Sequence, residues 1–314
     1  EFFEYAIGHQ FMEEKNMKDT HELSEYFLEN ITEMLSKKGV KTSGWQEVAQ
    51  HHSPETNARI APRFAGVYCW STIGKQDVVP YTVANEGYDV ILCNVNNLYI
   101  DLAYNPHKDE PGLTWGGYVN EFTSFNILPY NVYCSARENK AGEKNNLKTA
   151  GKGKIQLTEQ SRPRIKGVQA QLFSETIGSF DMVQYYVFPK IFGLVERGWN
   201  AYPEWSPVPN DDKQALYEKA RAIYNAKIAE IELPRLAADG FNFRVAQPGI
   251  KIVEGKLYAN SPIPQAEIRY TTDGSEPTAT STLWEAPVDC SASVVKAKLF
   301  YLGKESLTTD YKND

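Results

Sequence analysis

The sequence predicts an α/β fold with a parallel sheet, followed by a small antiparallel β-sandwich. Three observations carry this expectation. Near the start a helical pattern runs directly into a strand, three later runs are apolar without alternation, and past Pro248 the chain changes to short alternating segments. At 314 residues, with 42% hydrophobic and 23% charged side chains, there is enough chain for about two domains and a sizeable core, which excludes disorder as the main state.

The first strong element starts at Asp19. Asp19 and Glu22 form a D-x-x-E capping pattern, after which Leu23, Tyr26, Phe27, Ile31, Met34 and Leu35 recur at helical spacing until Gly39. VKTSGWQEV (40–48) then reads as a strand ending at Gly44-Trp45. FAGVYCW (64–70), YDVILCNV (88–95) and GVQAQLFSE (167–175) are continuous apolar or aromatic runs, as in parallel strands covered on both faces.

Two helices follow. Over 181–197, Met182, Val183, Tyr186, Phe188, Ile191, Leu194 and Val195 form the apolar stripe, with Pro189 as a kink. Over about 211–231 the stripe is Leu216, Ala220, Ile223, Tyr224, Ile228 and Ile231. Between the third and fourth strands, ARENKAGEKNNLKTAGKGK (136–154) reads as a solvated insertion. A boundary falls near 240–248, and beyond it KIVEGKLYA, AEIRYTT and SVVKAKLFYLG read as sandwich strands, with Asp273-Gly274 as a tight turn.

Charge and motifs exclude several function classes. The net charge is −7 and no Lys/Arg block occurs, so neither nucleic acid nor an anionic membrane is expected as partner. No run nears the roughly 18 apolar residues of a spanning helix. The opening EFFEYAIGHQ lacks the pattern of an export signal, and a soluble chain is expected. Cys69, Cys93, Cys134 and Cys290 are scattered and read as buried or free thiols. His51-His52 lies on a loop with no third ligand near it in sequence, and His9 reads as an ordinary histidine, so no metal site is expected. No nucleotide-binding, serine-elbow or H-E-x-x-H motif is present, and no cofactor is expected.

In parallel α/β folds, sites gather at the carboxyl ends of strands. Those ends carry Trp45 and Glu47, then Trp70, then Tyr99-Ile100-Asp101 with Trp115 beyond, then Phe173 and Glu175. Aromatic planes suit the apolar C–H face of a pyranose, and carboxylates suit its hydroxyls. A single Trp of this kind is more often core packing. Aromatic residues at three successive strand ends point instead to a sugar.

The motifs GWQE (44–47), VYCW (67–70), YIDL (99–102), LTW (113–115), QLFSE (171–175) and FPKIFGLVERGW (188–199) occur in an order that resembles the later part of the family 20 glycoside hydrolases, the β-N-acetylhexosaminidases. The resemblance covers about residues 15–200. EIRYTTDGSEPTATSTLWEAPV (267–288) is similar to the small C-terminal β domain of chitobiase-like and hexosaminidase chains. The resemblance implies a (β/α)8 TIM barrel in which a Gly-Gly-Asp-Glu segment ends the fourth strand. No such segment occurs here, so the chain is expected to start downstream of it. It would then contain the C-terminal half of the barrel, strands five to eight, over 1–240, and a β-sandwich accessory domain over 248–314.

The same resemblance implies a retaining, substrate-assisted hydrolysis of terminal N-acetylhexosamine, an exception to the two-carboxylate scheme. The Asp-Glu pair would lie upstream, and this chain alone would be inactive. Tyr99 would donate to the acetamide oxygen in a catalytic role. Trp45 and Trp70 would wall the acetamide pocket, Asp101 and Glu175 would accept from the sugar O4 and O6 hydroxyls, and Trp115 would stack on the next sugar. Phe173 stands where the family usually has Trp, which keeps an apolar wall but loses the N–H donor. Asp101 and Glu175 as an acid and base pair weigh less, because neither shows a desolvating environment in sequence.

The expected partners are an N-acetylhexosamine-terminated glycan and the missing half of the barrel or a second copy. The expected address is secreted or periplasmic. A rival reading is a non-catalytic carbohydrate-binding protein built on the truncated barrel and sandwich, and 248–314 itself reads as a docking or stabilising domain.

Overall fold

The computed structural model describes residues 6–139 and 141–312; the opening EFFEY, Lys140 and Asn313-Asp314 lie outside the described residues. Contacts divide the chain into two compact units. The first comprises Glu1–Val95, Leu128–Cys134 and Thr149–Gln169, and the second Asn96–Ile127, Ser135–Lys148 and Ala170–Asp314.

In the first unit, helices α1 (Ala6–Glu14) and α2 (Thr20–Ser36) precede strand β1 (Thr42–Trp45). The Asp19 carboxylate accepts from the His21 and Glu22 amides at 2.9 and 3.0 Å. Glu22 reaches back to the amide of Lys18 at 3.0 Å, one residue earlier than a strict capping box requires. Gly39 ends the turn at φ +74°. The apolar stripe of α2 is only partly covered, with Tyr26, Phe27 and Met34 exposed among the described residues.

Helix α3 (Pro54–Ile60) leads to β2 (Phe64–Cys69), and α4 (Val79–Asn85) to β3 (Val90–Leu92); β4 (Ile165–Val168) completes a parallel sheet of order β1-β2-β3-β4. Val67, Cys69, Val90 and Leu92 are fully buried, as the continuous apolar runs require. The fourth strand begins and ends earlier than the 167–175 run suggests. Gln169 still donates to Leu92, but β3 stops there, and a strand cannot continue without a partner backbone.

In the second unit, α5 (Val95–Leu98), part of which belongs to the first unit, and α6 (Glu121–Phe125) precede α7 (Phe180–Val187) and α8 (Lys190–Trp199). The kink expected at Pro189 is a full break between two helices, with Ser179 capping the first. The residues these helices bury are Gln184, Tyr186, Lys190, Gly193 and Arg197, while Val195 is exposed.

Helix α9 (Gln214–Lys227) continues through a wider turn over 228–232 into α10 (Leu233–Ala238). Its buried face matches the expected stripe in part: Tyr224 and Ile228 are buried as expected, Tyr217 joins them, and Leu216, Ile223 and Ile231 are exposed. Aromatic stacking decides this, because Phe125 stacks on Tyr224 at 4.4 Å and on Trp205 at 5.2 Å.

The C-terminal strands are antiparallel. One sheet pairs β5 (Gly249–Val253), β6 (Lys256–Asn260) and β9 (Val288–Asp289). The other pairs β7 (Glu267–Thr271), β8 (Thr282–Leu283), β10 (Val294–Tyr301), β11 (Lys304–Glu305) and β12 (Thr309–Lys312). Leu257, Cys290 and Val295 form their core, and Gly274 turns at φ +82° after Asp273. All four cysteines are buried. No helix among the described residues is long and apolar enough to cross a membrane.

Candidate functional site

In the second unit two segments run side by side. Tyr99 forms a parallel bridge with Gln171, the Ile100 amide donates to the Gln171 carbonyl at 2.9 Å, and the Gln171 amide donates to Leu98 at 2.8 Å. Tyr99 therefore stands one helical turn beyond the end of β3, where the sequence had placed it at the strand end itself. A second bridge, Leu102 to Leu113, brings in the segment carrying Trp115. Gly112 makes this approach possible at φ +115°, since a Cβ there would lie 2.6 Å from the amide nitrogen of Ala103.

The pairings converge on one aromatic corner. The Tyr99 ring lies 5.8 Å from Trp115, edge to face, and 5.5 Å from Phe173. Tyr99 is buried at 5% exposure, whereas Trp115 and Phe173 are 48% and 39% exposed. Asp101, two residues on, is buried, and its Oδ1 has no hydrogen-bond partner among the described residues. Burial pushes its carboxyl above the ordinary range, against backbone hydrogen bonds from Asp101 itself and Phe173 and the charge of Lys190. This corrects the sequence reading that Asp101 lacks a desolvating environment. Glu175 is exposed, and its charge raises the Asp101 carboxyl slightly further.

Lys190 supports this corner from beneath. Its ammonium donates to the carbonyls of Ile100 and Leu102 and sits 3.7 Å from the centroid of the Tyr104 ring. The side chain is fully buried, and desolvation pushes its ammonium well below the usual lysine range. Sequence reasoning passed over Lys190. The available signal was a lysine directly after Pro189, inside a stretch of apolar helix.

Trp45 and Trp70 belong to the first unit. Trp45 ends β1 at 40% exposure, its ring 6.0 Å from Tyr68. Trp70 follows β2, and its indole Nε1 donates to Glu47 at 3.0 Å. Gln46, which the sequence did not single out, is buried and accepts from the amides of Trp70 and Ser71 at 3.0 and 2.9 Å. It thereby fixes the backbone that carries Trp70. Elsewhere in this unit the fold gives His52 the third ligand its sequence neighbours lacked: His21, Glu25 and His52 bring their ligand atoms within 4.8 Å of one another.

Residues 6–202 match the family model described as glycosyl hydrolase family 20, catalytic domain, and residues 232–306 match the chitobiase/beta-hexosaminidase C-terminal domain. The chain is 28% identical over 275 residues to N,N'-diacetylchitobiase of Vibrio harveyi, covering 82% of this chain and 30% of the relative. A beta-hexosaminidase of Porphyromonas gingivalis is 25% identical over 290 residues, covering 88% and 30%. This chain thus spans under a third of the length of these curated relatives. The crystal structure of an exo β-N-acetylglucosaminidase from Vibrio harveyi with N-acetylglucosamine shares the fold, at TM-score 0.51 and 20% identity, over 75% of this chain and 29% of that one.

Proposed function

This chain belongs to glycosyl hydrolase family 20, and we propose that it is the C-terminal portion of an exo-acting β-N-acetylhexosaminidase that releases terminal N-acetylhexosamine from glycans. The observation that carries the proposal is the corner of Tyr99, Trp115 and Phe173 beside the buried, half-unpartnered carboxylate of Asp101. Aromatic edges and a desolvated acceptor side by side suit a ring with one apolar face and outward hydroxyls.

In this reading 1–240 supplies strands five to eight of the barrel and 248–314 is an accessory domain. The Tyr99 hydroxyl donates to the acetamide oxygen as that oxygen attacks C1. A donor already held in place stabilises the developing charge without reorganising. Asp101 and Glu175 accept from the O4 and O6 hydroxyls, Trp115 stacks on the next sugar, and Phe173 gives a narrower wall than Trp. Trp45 and Trp70 offer aromatic planes to the acetamide group. The acid that protonates the leaving oxygen, with its aspartate neighbour, comes from a Gly-Gly-Asp-Glu segment upstream, so residues 1–314 alone bind sugar without cleaving it. Glycan polymers as substrates place the enzyme in the periplasm or outside the cell.

The test is hydrolysis of an aryl N-acetyl-β-glucosaminide by residues 1–314 alone and by the polypeptide extended upstream. The extended protein should be active, and its Tyr99→Phe variant should lose about 100- to 1000-fold in kcat. Activity of residues 1–314 by themselves would overturn the division of labour. Sugar binding with no hydrolysis by the extended protein would overturn the enzyme assignment in favour of a binding module.

A further inference from the structure

The structure holds a second constellation, in the first unit, that owes nothing to the sugar reading. His21 and Glu25 lie one helical turn apart on α2, so their side chains share a face. The chain returns to that face after β1, and His52, with its side chain only 4% exposed, points its Nδ1 at the Glu25 carboxylate from 2.7 Å.

The ring's other nitrogen settles what can lie between them. His52 Nε2 is 3.0 Å from the Val48 carbonyl, and a carbonyl only accepts, so Nε2 carries the proton. A neutral His52 then presents the Nδ1 lone pair to a carboxylate, one acceptor facing another. That pairing needs a cation between the two atoms, either a proton or a metal ion. His21 repeats the arrangement, with Nε2 3.0 Å from the His51 carbonyl. A ring N–H anchored on a backbone carbonyl is how metal-ligating histidines are held in their tautomer. His21 and His52 also lie nearly parallel, 5.9 Å apart. His21 is exposed, so drawing it in to a metal–ligand length of about 2.0–2.1 Å takes only side-chain rotation.

We propose that His21, Glu25 and His52 form a binding site for a borderline divalent transition-metal ion, zinc foremost. Two imidazole nitrogens and one carboxylate oxygen suit zinc, cobalt, nickel or copper, whereas magnesium and calcium prefer sets made of oxygen alone. Three protein ligands leave a fourth position for water. Glu86, near enough to interact with His52 electrostatically, adds negative potential that favours a dication. Bound there, the ion ties helix α2 to the loop at 50–53.

Isothermal titration of the intact protein, stripped with a chelator, tests the site. Zinc should bind one equivalent at micromolar Kd or tighter and raise the unfolding temperature, cobalt should give the visible d–d bands of a low-symmetry site, and magnesium should give no heat. His52→Gln and Glu25→Gln should each weaken zinc by more than the roughly 10- to 100-fold that loss of an outer partner costs. His21→Gln, at an exposed position that cannot threaten folding, should weaken it as well, and His107→Gln should not. Absence of stoichiometric zinc binding overturns the proposal. So does zinc affinity unchanged in His21→Gln, or a His52 ring that nitrogen NMR finds protonated at both nitrogens under saturating zinc.

Discussion

Lys190 donates from Nζ to the carbonyls of Ile100 and Leu102 at 2.8 and 2.6 Å, so one buried ammonium holds the carbonyls of both residues that neighbour Asp101 in the chain. Those carbonyls lie on the segment that carries Tyr99 and Asp101. The desolvation of Lys190 is a cost already borne by the fold. Removing the charge would leave two buried acceptors unpaired and the nearby Asp101, Glu110 and Glu121 less compensated.

Lys190→Met, which keeps volume and loses the charge, should therefore destabilise the protein by about 2–6 kcal/mol, about one to three for each carbonyl left unpaired. Urea unfolding at neutral pH measures it. An unchanged midpoint would mean that relief of desolvation fully offsets the loss of the two hydrogen bonds.

Asp101 sets a pH dependence whose sign follows from its burial. Its folded-state carboxyl titrates above the unfolded value, so between the two the native protein holds the extra proton. The resulting stability is complete below the unfolded pKa and is lost as pH rises through the folded one. The proposed sugar contact runs the other way, because only the ionised group is purely an acceptor. Affinity for N-acetylglucosamine should rise over the pH window in which stability declines, and Asp101→Asn should flatten both curves. Parallel titrations by calorimetry and thermal unfolding check this, and a flat affinity profile in the unmodified protein would remove Asp101 from the binding role.

Legibility in the sequence depended on whether a residue's role was local. β2 and β3 could be read because residues such as Val67 and Leu92 announce burial on both faces. Helix α2 could be read from Asp19, whose cap is made with the next turn. On α9 two faces compete, one turned towards Leu216 and Ile223 and one towards Tyr217, with Tyr224 and Ile228 common to both. Only the distant rings of Phe125 and Trp205 select the second. The aromatic and acidic residues of the candidate site carried a motif. Lys190 and Gln46 did not, since both act on backbone atoms far away in sequence. The His52 cluster was missed for the same reason, its partners lying about thirty residues upstream.

Arg244 and Glu110 form a buried ion pair, with the guanidinium donating to Glu110 Oε2 at 3.1 Å while the Tyr185 hydroxyl donates to Oε1 at 2.7 Å. Arg244→Met should cost about 3–5 kcal/mol, since it strands a desolvated carboxylate. Glu110→Gln combined with Arg244→Met should cost less than the sum of the two single changes. A double-mutant cycle by chemical denaturation reads the coupling, and strict additivity would show that the pair acts as two independent groups.

Two glycines on α8 separate close packing from helix propensity. Gly193 faces α6 so closely that a Cβ there would fall 2.2 Å from Ser124 Oγ and 2.3 Å from the Phe125 amide nitrogen, while a Cβ on Gly198 would meet nothing within 4 Å. Backbone nitrogen cannot yield as a flexible side chain can, and Ser124 is itself pinned by its hydrogen bond to the Lys190 carbonyl. Gly193→Ala should thus force the helices apart and cost about 1–3 kcal/mol or more, as overpacking does. Gly198→Ala, in the same helix, should gain up to about 1 kcal/mol from propensity alone. Thermal unfolding of both variants decides the matter. If Gly193→Ala is as stable as Gly198→Ala, the contact between α6 and α8 is not the tight one described, and the support it lends to Lys190 beneath Asp101 goes with it.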